Sequence, residues 1–312
     1  MVGRIGVLGA GAMGSAVAAF LAEAGQDVIL IGRGGAHIRA VAAGGLRVVS
    51  AEGSPRQVCV AAVVHAADLP AASLDILIVL TKTYDTLAAV AGVAHALAPD
   101  GAALSLQNGL GNDAKLSAVV GRSRALVGVT TVGATLERPG QISISASTMA
   151  GQSVTHIGAT GSASATHRAD EVAAALDAAA LPAVHAVDVA VPIWGKLALS
   201  VMSPISAVLR MTVAGVWASP AGRSLIEQMF DEVVVVAKHR GVNMDRAAAW
   251  AHASQVFAGT GEHYTSMCTD IMRARPTELD SMAGAVHELA TLAGLPAPLH
   301  ATVISMLGVL GA

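Results

Sequence analysis

The chain places one lysine inside an otherwise apolar stretch. That stretch reads Trp194-Gly195-Lys196-Leu197-Ala198-Leu199-Ser200-Val201-Met202-Ser203-Pro204. Lys196, Ser200 and Ser203 stand at i, i+4 and i+7, so a helix through them would carry all three on one face. Partial removal from water lowers the pKa of a lysine and makes it a usable proton donor. The alternative is a lysine whose stem packs on apolar surface while its charge reaches solvent, and the spacing does not decide between the two.

A glycine pattern near the N-terminus predicts a dinucleotide site. The pattern follows an apolar run and precedes a helical stretch, and it reads Gly9-Ala10-Gly11-Ala12-Met13-Gly14. In a strand, turn and helix of this kind, the glycines allow a tight turn, a close approach of the backbone to a pyrophosphate, and close packing of the helix on the strand. The helix N-terminus then supplies N–H donors to the phosphates. The bland alternative is a tight turn without a ligand.

The second predicted strand indicates which dinucleotide binds. NAD-specific domains usually end this strand in an acidic residue that binds the ribose hydroxyls, whereas here Gly32-Arg33 follows it, with His37 and Arg39 nearby. A guanidinium offers charge and paired donors to a 2′-phosphate. We therefore expect NADP(H), the alternative being a solvated surface arginine at position 33.

Two further polar residues follow predicted strands. Lys82 comes two residues after the apolar run 76–80, and Asn108 follows the next strand, with Gly109 and Gly111 beside it. In a doubly wound sheet, ligands lie beyond the carboxyl ends of the strands, so both side chains are expected at the cofactor crevice. Lys82 could instead be a turn or capping residue.

The elements that would position these residues change class along the chain. Strands are predicted over residues 4–8, 28–31, 74–80, 103–106, 126–131, 140–145 and 154–158, and helices near residues 13–24, 35–43, 84–97, 113–119 and 169–179. After residue 191 only helices are predicted, near 193–202, 220–240, 245–258 and 277–293. The prediction is an α/β protein with an N-terminal Rossmann-type doubly wound sheet, partly antiparallel on one side, over residues 1–188. An all-helical substrate and catalytic domain follows over residues 189–312.

Composition excludes several classes of partner. The formal charge is −3 and no lysine or arginine cluster occurs, which argues against nucleic acid and anionic membrane. Two cysteines, Cys59 and Cys268, make no disulfide framework and favour a cytoplasmic location. The 11 histidines lack metal-binding spacing, so no metal is expected. A small polar ligand remains.

Several motifs together resemble the ketopantoate reductases over essentially the whole chain. They are the glycine pattern, the segments LTKTYD, LQNGLGN and WGKLALSVMSP, and the segment TSMCTDIMRARPTELD with its Ser266 and Glu278. The resemblance implies that Lys196 is the general acid that protonates the substrate ketone as hydride arrives. It also implies that Glu278 orients this lysine or contacts cofactor and substrate, and that Ser266 helps to bind the substrate carboxylate. Asn108 would lie at the junction of cofactor and substrate, and Lys82 would be a polar contact in the same crevice. Ala134 is a further expected cofactor residue.

Three positions depart from the family pattern. Ser200, Ser203 and Ala214 stand where the family usually has asparagines that hold the substrate oxygens. Because buried hydrogen-bonding partners discriminate strongly between substrates, these changes leave the substrate open. The expected function is NADPH-dependent reduction of a 2-oxo acid, 2-dehydropantoate first, by a possible homodimer. The alternatives are another 2-oxo acid or an imine as substrate, or an NADP sensor without turnover.

Overall fold

The computed structural model describes residues 3–50, 53–159 and 163–311. Within it the chain forms two compact units. The first unit comprises Met1–Gln107 and Asn112–Val189, and the second comprises Asn108–Gly111 and Ala190–Ala312. The short segment Asn108–Gly111 therefore packs with the helical unit, although the chain on either side of it belongs to the first.

Two sheets form the framework of the first unit. Its strands are β1 (Ile5–Leu8), β2 (Val28–Ile31), β3 (Leu46–Ser50), β4 (Gly53–Val58), β5 (Ala61–Val63), β6 (Leu74–Val79), β7 (Leu97–Ser105), β8 (Ala125–Thr130), β9 (Ala134–Arg138), β10 (Gln141–Ile144), β11 (Thr155–Ala159) and β12 (Ala183–His185). The main sheet has the order β12-β11-β8-β7-β6-β1-β2-β5 and the smaller sheet the order β4-β3-β10-β9. All neighbours in the main sheet are parallel except β8 and β11, which supply the expected antiparallel side.

The main sheet is covered on both faces. The helices of this unit are α1 (Ala12–Glu23), α2 (Ala36–Gly44), α3 (Thr86–Val93), α4 (Asn112–Val120), α5 (Ala146–Met149) and α6 (Ala163–Ala178). Along β6, Ile76 and Ile78 join one buried cluster, while Leu77 and Val79 join another. Alternation between two cores explains why these four residues form a continuous apolar run, as in parallel strands under helices on both faces. The predicted Rossmann-type doubly wound sheet is thereby confirmed.

The second unit is helical throughout its described part. Its elements are α7 (Ala190–Leu199), α8 (Met202–Leu209), α9 (Val213–Ala218), α10 (Pro220–His239), α11 (Arg246–Gly259), α12 (Ser266–Met272), a π-helical segment (Asp280–Gly284), α13 (Ala285–Leu292) and α14 (Pro298–Val309). The helical stretch Ala190–Leu209 is long and apolar enough to cross a membrane by length and composition. Half of that window is buried within the fold.

The sequence prediction missed five strands: β3, β4, β5, β9 and β12. β4 lacks the apolar pattern of a strand because it contains Pro55 and several polar residues. It lies at the edge of the smaller sheet, where a proline can be tolerated because its missing N–H can face away from the neighbouring strand. All but the first residue of β9 are exposed, so that strand lacks an apolar signal. Pro139 and Gly140 form the turn that joins β9 to β10.

The helix predicted to carry Lys196, Ser200 and Ser203 on one face is interrupted between Ser200 and Ser203. α7 ends at Leu199 and α8 begins at Met202, so Ser200 lies in the break between the two helices. Pro204 has no N–H to donate to the Ser200 carbonyl oxygen, and the N–H of Ser203 donates to it instead, at 2.9 Å. The proline therefore explains why the regular hydrogen-bond ladder stops here.

Candidate active site

The glycine turn after β1 has three glycines with three different surroundings. Gly9 has a φ of +114°, and a Cβ there would lie 2.7 Å from the backbone of Leu80. A Cβ on Gly14 would lie 2.0 Å from the carbonyl oxygen of Gly9, so α1 packs directly on the turn. A Cβ on Gly11 would meet no heavy atom within 4 Å. The first and third glycines are thus required by the fold, while the second leaves open space at the N-terminus of α1.

The other residues of this turn lie between core and surface. Ala10 and Met13 are partly buried and pack against the core of the first unit, and Ala12 is the first residue of α1. Gly11 precedes α1 without a side chain to cap it. Backbone N–H groups of the first helical turn therefore have no side-chain acceptor, which suits a phosphate.

Arg33 stands two residues beyond the end of β2, as predicted. Its side chain is 84% exposed, and its Nη1 donates a hydrogen bond of 2.8 Å to Oδ2 of Asp85. His37, expected beside it, is instead buried: its Nδ1 accepts from the N–H of Gly140, so its Nε2 donates to the hydroxyl of Ser15. Burial lowers the pKa of His37, which favours this neutral ring. His37 thus has a structural role.

The loop after β6, which contains Lys82, is held by a residue that the sequence analysis did not identify. Gln107 is buried at the end of β7, and its Nε2 donates to the carbonyl oxygen of Thr81 and to Oγ1 of Thr86, both at 2.8 Å. Its Oε1 accepts from the hydroxyl of Ser105. Lys82 is partly buried and its carbonyl oxygen starts the short turn that leads to α3. The only sequence signal for Gln107 was its place directly before Asn108.

The lysine of the helical unit contacts Asn108. Nζ of Lys196, on α7, donates a hydrogen bond of 2.8 Å to Oδ1 of Asn108, and both side chains are partly buried. Burial lowers the pKa of Lys196 to about 8, against the carboxylate of Glu278, which raises it. A lysine with such a pKa exchanges its proton near neutral pH. Lys196, Asn108 and Glu278 therefore form one group of interacting side chains.

The backbone around Glu278 fixes the segment that carries Asn108. Glu278 is buried in the bend between α12 and the π-helical segment, and its carbonyl oxygen accepts from the Ser281 hydroxyl. The Ser281 carbonyl oxygen accepts from the N–H of Leu110 at 2.8 Å. Gly109 has a φ of +79°, and a Cβ there would lie 2.1 Å from that same oxygen. A glycine is therefore required at position 109 for the segment to approach Ser281.

The remaining predicted residues are dispersed. The Ser200 hydroxyl donates to the Lys196 carbonyl oxygen at 2.8 Å. Ser203 lies on α8, and its carbonyl oxygen is 3.4 Å from the donating hydroxyl of Thr265, which caps α12. Ser266 is exposed at the start of α12, Ala214 lies on α9, and Ala134 is the first residue of β9.

The described residues contain no group of three or more His, Cys, Asp or Glu side chains that could hold a metal ion.

The fold and the residues define a reductase-type protein. It has a glycine-turn nucleotide unit and a helical unit that carries a lysine, an asparagine and a carboxylate. The family model "Ketopantoate reductase PanE/ApbA" matches residues 5–161, and the model "Ketopantoate reductase PanE/ApbA C terminal" matches residues 188–310. The chain therefore belongs to the ketopantoate reductase family, and it is an oxidoreductase acting on CH–OH groups, with a nicotinamide coenzyme.

Individual relatives agree with this assignment. The chain is 32% identical to the 2-dehydropantoate 2-reductase of Pyrococcus horikoshii over 95% of this chain and 94% of that one. A solved PanE/ApbA family ketopantoate reductase from Ralstonia eutropha is 25% identical, with a TM-score of 0.83 over 99% of this chain and all of that one. A D-mandelate dehydrogenase solved with NADH and anilino(oxo)acetate has a TM-score of 0.91 over 98% of each chain. At 22% identity, that last likeness is one of fold.

Proposed function

We propose that the protein reduces a 2-oxo acid to the 2-hydroxy acid with NADPH, and that 2-dehydropantoate is the leading substrate. The observation that carries the proposal is the Lys196 ammonium, hydrogen-bonded to Asn108 and influenced by the carboxylate of Glu278, with a pKa lowered to about 8. A ketone that accepts hydride accumulates negative charge on its oxygen. A nearby ammonium stabilises this charge and neutralises it by proton transfer.

Each of the three side chains has a separate task in this proposal. Lys196 gives a proton from Nζ to the substrate oxygen. Asn108 accepts a hydrogen bond from the same Nζ and so restricts where the ammonium points. Glu278 counteracts the desolvation of Lys196, which keeps more of the lysine protonated at neutral pH. When bound, the reduced nicotinamide supplies the hydride.

The residues of the first unit fit an NADP(H) coenzyme. Gly11 leaves open space before the N-terminus of α1, which suits a pyrophosphate, and Arg33 offers an exposed guanidinium for a 2′-phosphate. We assign Ala10, Ala12 and Met13 to the same turn, and we propose that Lys82, Asn108, Ala134 and Glu278 also contact the coenzyme. These assignments are supported by the family resemblance and by the position of each residue in its own unit.

The substrate is less constrained than the reaction. Our proposed substrate residues remain Asn108, Lys196, Ser200, Ser203 and Ser266. Ser200 and Ser203 are shorter than the asparagines usual in the family, and Ala214 offers no polar side-chain atom. The runner-up is therefore a reductase for another 2-oxo acid or an imine. A small cavity borders Ser200 and is lined also by Leu197, Met229, Met282, Val286 and His300, so a longer side chain at position 200 would lie next to it.

The test is a substrate screen in which NADPH oxidation is followed at 340 nm with a panel of 2-oxo acids and imines. We expect consumption of NADPH with at least one 2-oxo acid, and loss of about 10²-fold or more of this rate in Lys196→Met. Lys238→Met is the matched control, because Lys238 is an exposed lysine of the same unit. NADPH binding without consumption across the whole panel would favour a sensor, and an unchanged rate in Lys196→Met would remove the proton-donor role.

A second variant tests which residue determines the choice of substrate. Ser200→Asn restores the residue that is usual in the family, next to this cavity. If the serine redirects specificity, this variant shifts the ranking of the panel towards 2-dehydropantoate; an unchanged ranking would argue against that role.

We further propose that the protein is cytoplasmic and acts on a small molecule, without nucleic acid or membrane as a partner. We also propose that it can form a homodimer.

A further inference from the structure

The ion pair between Arg33 and Asp85 bridges the edge of the sheet at which the glycine turn lies. β1 is hydrogen-bonded to β2 on one side and to β6 on the other, and all three strands are parallel. Arg33 follows β2, whereas Asp85 belongs to the loop after β6. The two flanking strands are about 10 Å apart, so a pair that joins their loops spans the carboxyl end of β1. Gly9, where the glycine turn begins, directly follows that end.

The Asp85 carboxylate pairs with Arg33 and does not cap the helix that follows it. It is the residue directly before α3, where an aspartate commonly accepts a backbone N–H of the first turn. No such cap hydrogen bond forms here. Its Oδ2 instead accepts from Nη1 of Arg33 at 2.8 Å. The loop that carries Asp85 is itself fixed by the hydrogen bonds of Gln107 to Thr81 and Thr86.

A 2′-phosphate and the Asp85 carboxylate need the same donor. Both are anions that accept from the guanidinium, and both carry negative charge, so a phosphate bound at Arg33 would be repelled by an unmoved Asp85. The ribose of NADH has no phosphate there and leaves the ion pair intact. The Asp85 carboxylate is therefore expected to weaken the binding of NADPH and to leave the binding of NADH unchanged.

We propose that Asp85 is a specificity-determining residue, which lowers the preference for NADPH over NADH by competing with the 2′-phosphate for Arg33. The inference rests on the proposed role of Arg33 in NADPH binding. An ion pair as exposed as this one contributes little, so the competition is modest. We expect the NADPH dissociation constant to fall about two- to fivefold in Asp85→Asn.

The experiment measures NADPH and NADH binding to the full chain by titration, without substrate. Asp85→Asn and Asp85→Ser are compared with Asp27→Asn as the matched control. Asp27 pairs with Arg4 at the opposite, amino end of β1 and β2, so this variant removes the same charge and the same kind of pair from the same unit. A double variant, Asp85→Asn with Arg33→Gln, tests whether the gain depends on the guanidinium. We expect the gain for NADPH alone, and only while Arg33 is present.

The outcomes separate the inference from the function on which it rests. Weaker NADPH binding in Asp85→Asn would mean that the carboxylate positions Arg33, and would overturn the proposal. An equal gain for NADH, for Asp27→Asn, or in the absence of Arg33 would reduce the effect to general charge and would overturn it as well. If the wild-type chain binds NADPH tightly and Asp85→Asn leaves the NADPH dissociation constant unchanged, this inference alone is contradicted. A wild-type chain that does not bind NADPH removes the proposed coenzyme too.

Discussion

Lys196 is placed so that opposing influences act on its charge. Burial lowers its pKa to about 8, and the Glu278 carboxylate raises it. A proton donor is active in its protonated form, so we expect kcat/KM for ketone reduction to be constant below pH 8 and to fall about tenfold per pH unit above it. An unburied lysine would show this fall only near its ordinary pKa of 10.5.

Glu278 should set the position of that fall. Glu278→Gln removes the influence that raises the pKa of Lys196, so the descending limb of the pH–rate profile is expected to move to lower pH. Glu288→Gln, an exposed carboxylate on α13, is the control and should leave the limb in place. A limb that stays at the same pH in both variants would contradict the assigned role of Glu278. The check is kcat/KM measured from pH 6 to pH 10.

Residue by residue, the sequence was informative where a pattern has a physical meaning of its own. The spacing of Gly9, Gly11 and Gly14 was enough to predict a tight turn, and the structure shows why Gly9 and Gly14 must be glycines. Glu278 was different, because by composition it was an acidic residue near a helix start, and only the family resemblance singled it out. The Lys196–Asn108 hydrogen bond joins residues 88 positions apart, and no local periodicity contains that information.

Among the elements, the segment Asn108–Gly111 depends on a glycine for packing and not only for conformation. Gly109 and Gly111 both have positive φ, at +79° and +81°, but only Gly109 is pressed against the Ser281 backbone. Alanine at either position costs about 1 kcal/mol of backbone strain. Gly109→Ala must also push the segment away from Ser281, and this displaces Asn108.

We therefore expect the two alanine variants to differ in activity. Gly111→Ala should lower the melting temperature slightly and retain most turnover, whereas Gly109→Ala should lose more stability and more than about tenfold in kcat, since small displacements of a positioned group are costly. Thermal melts and initial rates of the purified variants measure both. Equal losses of kcat would show that strain, and not the contact with Ser281, decides the effect.

Strands were predicted best where burial on both faces requires apolar residues. β1, β2 and β6 are rich in apolar residues because they face two cores, and these strands were predicted to within one residue. β7 begins six residues before its predicted start, because its first half contains Pro99 and Asp100. β4 and β9 lie at the two edges of the smaller sheet and bury little, so their residues carry no such run. The break between α7 and α8 follows from one missing N–H at Pro204, a local effect that an overall helical period conceals.

At the scale of the whole molecule, the three tryptophans separate the two units experimentally. Trp194, Trp217 and Trp250 all belong to the helical unit, and Trp217 and Trp250 pack together with Phe230 and Phe257 in its core. Intrinsic fluorescence therefore follows the unfolding of the unit that holds Lys196. Far-UV circular dichroism follows both units, so a comparison of the two signals tests whether the molecule unfolds in a single transition.

The same signal can test a carboxylate that ties two distant helices together. Glu232 on α10 accepts the N–H groups of Leu299 and His300 at the start of α14, and its Oε2 lies 2.6 Å from Nδ1 of the buried His300 ring. Burial alone would raise the pKa of Glu232, but the His300 ring and the two N–H groups together hold it below the usual 4.5. The ionised carboxylate therefore stabilises the folded state at neutral pH.

The direction of the pH effect follows from that lowered pKa. The stabilisation is fully present above about pH 4.5, the unfolded value, and is lost as the pH falls through the lower folded value. Glu232→Gln should thus cost about 2 kcal/mol at pH 7, as expected for hydrogen bonds to a charged group, and progressively less below pH 4.5. Glu227→Gln is the control, because Glu227 lies on the same helix but pairs with Arg246 at the surface. Urea unfolding followed by tryptophan fluorescence at pH 7 and pH 4 measures both variants, and a Glu232→Gln deficit that is equal at the two pH values would show that the charge of Glu232 is not what joins α10 to α14.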